Sequence, residues 1–193
     1  MNIFYLDHNP QTCAIYHVDK HVVKMILEYS QLLSTAHRVL DGRQGIDTIN
    51  GRHYKRWIME EPANSLLYKS THVNHPSAIW CRESAENYTW LASLLVEVCK
   101  EYTYRYGKVH KAEEDGIVKW LVNNVPKKIS NKPFTEPTPA MPDEYKDPKD
   151  SVDSYRTYYI CEKYYLFSWT KRETPTWIKE ILFPYFRERK FST

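Results

Sequence analysis

The sequence predicts a mainly α protein: a compact single-domain helical bundle with an extended N-terminal arm and a long Pro-rich loop. Three observations carry this. Residues from about Cys13 to Leu40 hold one apolar stripe at helical period, made of Ile15, Val18, Val22, Ile26, Tyr29, Leu33, Ala36 and Leu40. Pro76 suits the first position of a second long helix, to which Ile79, Trp80, Leu91, Leu94, Leu95 and Val98 supply apolar contacts as far as about Tyr104. The 193 residues suit one domain, 1–193, able to bury roughly 70% of its unfolded surface, and no repeat or boundary interrupts it.

Residues 2–6 are apolar and strand-like with nothing to pair with, so they read as an arm packed on the domain. An Asn-Pro turn follows, with Thr12 able to cap the first helix. Residues 41–56, with glycines and scattered polar groups, read as a loop, and a short helix is expected at 61–70. A further short helix spans 111–123. Six of the 11 prolines fall in 126–150, which reads as an ordered loop or a flap. A tyrosine-rich helix from about Val152 to Thr170 comes next, then a last helical segment at 178–186 opened by Pro175 and Trp177.

The first helix carries a second line of residues opposite its apolar stripe: His17, His21, Lys24, Glu28, Gln31, Thr35 and Arg38. A wet helix face explains such a line, but two histidines, a lysine and a single carboxylate in register also suit chemistry. Asp19 projects near the apolar stripe and needs an internal partner, an arginine or a backbone amide, which makes it a structural pin. Trp80, Trp90 and Trp120 read as core, and His37 and His110 as surface or packing residues.

A net charge of +3 permits a polyanionic partner without demanding one. Basic residues cluster at Lys127, Lys128 and Lys132, at Lys171 and Arg172, and at Arg187, Arg189 and Lys190, while acids gather between Asp143 and Asp153. The 16 tyrosines and 6 tryptophans suit wet grooves and stacking surfaces as well as cores. Four widely spaced cysteines without a CxxC pair suit a reduced, cytoplasmic compartment, and no apolar run is long enough for a membrane span.

Taken together, VDKHVVKMILEYSQLL, NHPSAIW and RETPTWIK resemble the pyrimidine-dimer DNA glycosylases of the phage endonuclease V type and their small bacterial relatives. The resemblance runs in order over most of the chain. It implies a helical domain that flips a nucleotide out of duplex DNA and breaks its glycosidic bond, with AP-lyase activity and no cofactor. The glutamate of the family's first helix falls on Glu28, its histidines on His21 and His75, and its C-terminal aromatic and lysine on Trp177 and Lys179. The implied nucleophile is the α-amine of Met1. The DNA surface is expected to include His17, Lys20, Lys24, Gln31 and Arg82, with the basic pair Lys171 and Arg172. Arg82 pairing with Asp19 is an equal reading. The implied partner is double-stranded DNA with a damaged or modified base, met by a monomer in the cytoplasm, the host's if the chain is phage-encoded.

The chemistry suits these groups. An α-amine has a pKa of about 7.7–8.0, so part of it is neutral and nucleophilic at cellular pH. A carboxylate beside it stabilises the oxocarbenium-like sugar and shuttles protons. Two departures from the family stand out: Asn2 is bulky enough that Met1 is retained, and the residues beside the amine, 3–6, are apolar. Another damaged base, or a hypermodified one, is therefore expected as readily as a photodimer. Lys24 is an alternative amine nucleophile.

Two rivals stand beside this reading. His17 and His21 have the spacing of a helical metal-ligand pair, with His72 and His75 to complete a shell and Glu28 as general base, although no HExxH is present. The other is a nucleic-acid or protein-binding module without catalysis, whose aromatics stack on bases.

Overall fold

A computed structural model describes residues 2–180. Met1, the cations Arg187, Arg189 and Lys190, and most of the helix expected at 178–186 lie outside the described residues. Within them the protein is mainly α, with one two-stranded antiparallel sheet.

The helices are α1 (Pro10–Tyr16), α2 (Asp19–Asp41), α3 (Ala63–Leu66), α4 (Pro76–Glu83), α5 (Ala85–Tyr106), α6 (Lys111–Glu114), α7 (Ile117–Asn123) and α8 (Ser151–Lys163). Helix α2 is central, packing on α4, α5 and α7, while α1 lies on α5. Its apolar stripe does what its period predicts: Val22, Ile26, Tyr29, Leu33 and Ala36 are fully buried. The arm also behaves as expected, with Ile3, Phe4, Tyr5 and Leu6 buried and unpaired by any strand. A short helical stretch at 176–180 buries Trp177 and Ile178.

The helix expected over 13–40 is two helices. His17 and Val18 are extended (ψ 132° and 156°), because groups from outside take over the bonds at the break. The Val18 N–H goes to the Tyr159 hydroxyl at 3.0 Å. Asp19, in the first turn of α2, accepts from the Thr170 N–H at 2.9 Å, the Ser168 hydroxyl at 2.7 Å and Arg105 at 2.9 Å. Burial raises its pKa, but these donors outweigh that and hold it below the usual carboxylate range. The structural pin expected of Asp19 thus has both an arginine and a backbone amide, and the arginine is Arg105, not Arg82. The cap is Asn9, whose side chain accepts from the Thr12 N–H, so Thr12 contributes a donor rather than the cap.

Arg105 is fully buried and also donates to Glu101 at 2.7 Å, which in turn binds Arg172. Removing one member of such a network leaves an uncompensated buried charge. Arg105→Ala is therefore expected to cost about 3–5 kcal/mol, read from urea unfolding. A loss under about 1 kcal/mol, the level of a surface pair, would show that the network does not hold α1, α2 and α5 together.

Other expected elements divide for local reasons. Ser84 is extended and caps α5 by accepting from the Asn87 N–H at 3.1 Å, so the helix expected over 76–104 is α4 plus α5. Gly116, left-handed at φ 81°, separates α6 from α7. Of the helix expected at 61–70 only Ala63–Leu66 forms. The tyrosine-rich helix ends at Lys163, followed by a 3-10 turn at Tyr164–Leu166, since Ser168 and Thr170 are engaged with Asp19. Ile79 is exposed rather than packed.

The segment read as a loop at 41–56 is a β-hairpin, β1 (Arg43–Ile49) and β2 (Arg52–Ile58). Asn50 and Gly51 both take positive φ, 51° and 74°, as a two-residue type I′ turn requires. The Pro-rich stretch is ordered by side chains: the Thr135 N–H donates to Asn87 and the Phe134 N–H to Glu86, while Tyr155 reaches Thr138 O.

Candidate functional site

The polar line of α2 is not one surface. His17, His21, Thr35 and Arg38 are buried, whereas Lys24 is exposed and Glu28 and Gln31 are half-buried. Arg38 ties down the chain after the hairpin, donating to Trp57 O, Tyr68 O and Leu67 O. His17 sits inside, with Nδ1 donating to Cys13 O at 2.7 Å and Nε2 facing the Tyr29 hydroxyl at 2.8 Å. Both ring nitrogens are thus occupied, and burial pulls its pKa down to about 4.

Around Glu28 the arm, α2, the start of α4, and the end of α8 enclose an open cleft of about 480 Å³. Lys20, His21, Lys24, Glu28 and His75, all singled out in the sequence, line it together with Asn2, Phe4, Tyr158, Lys163 and Tyr165. The Asn2 N–H donates to Glu28 Oε2 at 3.3 Å, and Lys24 Nζ lies 3.0 Å from Oε1. Asn2 is fixed in turn: its side chain donates to Ala140 O at 3.0 Å and accepts from Tyr155 at 2.8 Å. Asn2 is thereby held at Glu28, the one carboxylate among the described residues of the cleft lining.

Two histidines flank this carboxylate as neutral donors. His21 lies under Phe4, ring centroids 4.1 Å apart and nearly parallel. Phe4 reaches that position through a left-handed backbone, φ 52°, which for a bulky residue costs of order 1–3 kcal/mol and clusters at functional sites. The Tyr159 hydroxyl accepts from the Val18 N–H and lies 2.7 Å from His21 Nδ1; in the tautomer where it gives its hydrogen to Nδ1, the ring proton is on Nε2. Burial first, then His17, Lys24 and Lys163, push His21 down to about 3. His75 caps α4, Nδ1 accepting from the Ser77 N–H at 3.2 Å, and burial lowers its pKa as well. Cations come instead from Lys20, Lys24 and Lys163.

The remaining residues expected on the surface stand elsewhere. Arg82 donates to Val73 O and Ala78 O, Lys171 to Tyr104 O, and Arg172 to Glu101. Lys179 pairs with Glu173 at 3.1 Å. Trp177 is buried against Tyr16, Tyr159 and Arg156, the anchor of the C-terminal segment. Gln31 lies one turn beyond Glu28, outside the cleft lining. Met1 falls outside the described residues. Lys163, Tyr158 and Tyr165 escaped sequence reasoning, because only the turn at the end of α8 brings them over α2.

His17 cannot pair with His21 around an ion while its nitrogens hold Cys13 O and Tyr29. Among the described residues no three His, Cys, Asp or Glu side chains are placed to hold a metal. A larger cavity, about 760 Å³, opens near the other end of α2. There His37 Nε2 is engaged by the Tyr88 hydroxyl and Asn124 O, and Asp41 by two backbone N–H groups, so its buried polar groups are already used. No described helix is long and apolar enough to cross a membrane. Comparison of the chain with family models, with curated proteins and with solved structures yields no match.

Proposed function

We propose that the chain is a single-domain DNA glycosylase of the pyrimidine-dimer type with AP-lyase activity, working in the Glu28 cleft on a damaged or modified pyrimidine in duplex DNA. The observation that carries the proposal is the Asn2 N–H to Glu28 contact at 3.3 Å. Residue 1 is one peptide bond from Asn2, so covalent lengths keep its nitrogen within about 4 Å of that amide.

In this reading the α-amine of Met1 attacks C1′, forming the N–C1′ bond as the C1′–base bond breaks and its electron pair leaves with the base. Glu28 takes the proton that the amine sheds and returns it to the departing base. The nitrogen lone pair then opens the sugar at C1′–O4′, with O4′ taking a proton from solvent in the open cleft, and gives an iminium. Glu28, again free, removes a C2′ proton, and the 3′-phosphate leaves. Neutral His21 and His75 donate to sugar or base oxygens without competing for the phosphate. Lys20, Lys24 and Lys163 hold backbone phosphates, and exposed Tyr165 offers a stacking face near the vacated base.

Borohydride trapping tests the assignment on duplexes carrying a thymine photodimer, an abasic site or no lesion. A covalent adduct is expected on lesion and abasic DNA, retained in Lys24→Met and lost when two residues are added before Met1. Trapping lost in Lys24→Met and kept in the extended chain would move the nucleophile to Lys24. DNA binding without adduct or base release would leave a binding module.

A further inference from the structure

The β1–β2 hairpin has a surface that nothing among the described residues covers. Its strands pair in full register from Arg43↔Ile58 to Ile49↔Arg52, yet neither face is packed away: Gln44, Ile46, Thr48, His53 and Lys55 are exposed on one, Arg43, Ile49, Arg52 and Tyr54 on the other. An isolated two-stranded hairpin is only marginally stable in water. This one is held at its root, where Trp57 O accepts from Arg38 at 2.9 Å. Its charge is one-sided. Arg43, Arg52, Lys55 and Arg56 face a single acid, Asp47, which already has Arg56 and Lys69 at 3.9 Å.

We propose that the hairpin is a duplex-binding ribbon, entering a groove of the DNA on one flank of the nucleotide held in the cleft. The inference rests on the glycosylase reading for what occupies the cleft. Charge complementarity selects the occupant: the exposed cations Arg43, Arg52 and Lys55 against the single acid Asp47, carried on a two-stranded ribbon, suit a polyanion whose major groove, about 12 Å wide, admits such a ribbon. Placement supports it. Gly42, at the root, follows Glu28 by 14 residues on or just past the same helix, about 21 Å at 1.5 Å per residue, or roughly six base pairs. The chain between them runs along the polar line of α2: Lys69 beside Asp47, the Thr71 N–H on Thr35 at 3.2 Å, and His75 in the cleft wall. Cleft and ribbon thus terminate one continuous polar edge.

The test compares wild type with Arg52→Ala/Lys55→Ala, both sites exposed and near the turn, on duplexes carrying a tetrahydrofuran abasic analogue. The variant is expected to fold with an unchanged urea midpoint and to bind at least about tenfold more weakly at 0.1 M salt. The slope of log affinity against log salt should fall by about 2. The difference should vanish when one arm of the duplex is cut to four base pairs and persist when the other is. Equal affinity and slope would overturn the ribbon, as would a dimer of wild type that the substitutions dissociate, which would assign the hairpin to a second copy of the chain. Failure of the glycosylase reading is separable: hairpin-dependent salt slopes without any base release or adduct would keep the ribbon and remove the chemistry.

Discussion

Between pH 7 and pH 5 the protein is expected to lose about 5–6 kcal/mol of stability. His17, His21 and His37 are buried and neutral, their pKa values pulled down by burial to about 4, 3 and 4. Carboxylates do not offset this: Asp41 stands 4.0 Å from His37, Glu101 acts on His17 against Arg105, and His21, in the cleft with Glu28, faces His17, Lys24 and Lys163. Each folded pKa lies below the unfolded value near 6.5, so the unfolded chain takes up protons first on acidification. The contribution is complete above pH 6.5 and disappears as pH falls toward the folded values. One histidine contributes a slope of up to about 1.4 kcal/mol per pH unit, and three together about 4 near pH 5.5, against a typical domain stability of about 5–15 kcal/mol. Urea midpoints at pH 7.5, 6.5 and 5.5 measure this directly. A midpoint that stays level through that range would mean the three rings are not buried neutral. His37→Gln, which keeps a donor for Asn124 O, should reduce the slope by about one third.

Glu28→Gln is expected to lower single-turnover base release by about 10²- to 10⁴-fold, the usual share of a positioned acid–base group. Its fold should persist, since the amide oxygen can still accept from the Asn2 N–H, while the pairing with Lys24 at 3.0 Å is lost. Affinity for uncleaved duplex should stay equal or rise slightly, because one negative charge leaves the cleft proposed to bind phosphates. Measuring the rate with saturating enzyme and the affinity by salt titration separates the two effects. A rate within threefold of wild type would remove Glu28 from the chemistry.

Much of this arrangement is legible in the sequence because it follows from local rules. The period of α2, the His75-Pro76 helix start and the need of Asp19 for a partner all depend on neighbouring residues or on one unfavourable burial. What escapes is whatever depends on distant chain. His17, Thr35 and Arg38 look like wet surface, yet each is buried with partners: Tyr29, Thr71 and the carbonyls of residues 57–68. Sequence spacing does not distinguish a polar group facing water from one facing its hydrogen-bond acceptor. The hairpin hides for the opposite reason. With neither face buried its strands show no alternation of apolar and polar residues, and Asn50-Gly51 alone announces the turn. Lys163 and Tyr165 join the cleft through the end of α8, a placement no spacing predicts.

The arm gives the site a timetable. Residues 2–6 meet Cys13, Glu28 and Tyr29 early in synthesis, but their remaining partners lie far along the chain: Ala140 and Tyr155 on Asn2, and Arg156 on Leu6 O at 2.9 Å. At about 5–20 residues per second, roughly 8–30 s separate synthesis of Asn2 from synthesis of the helix whose Tyr155 helps hold it beside Glu28. A nascent or truncated chain lacking α8 holds the arm and Glu28 without the contacts that fix Asn2 beside it, so in the proposed reading the centre is assembled only once the later chain arrives.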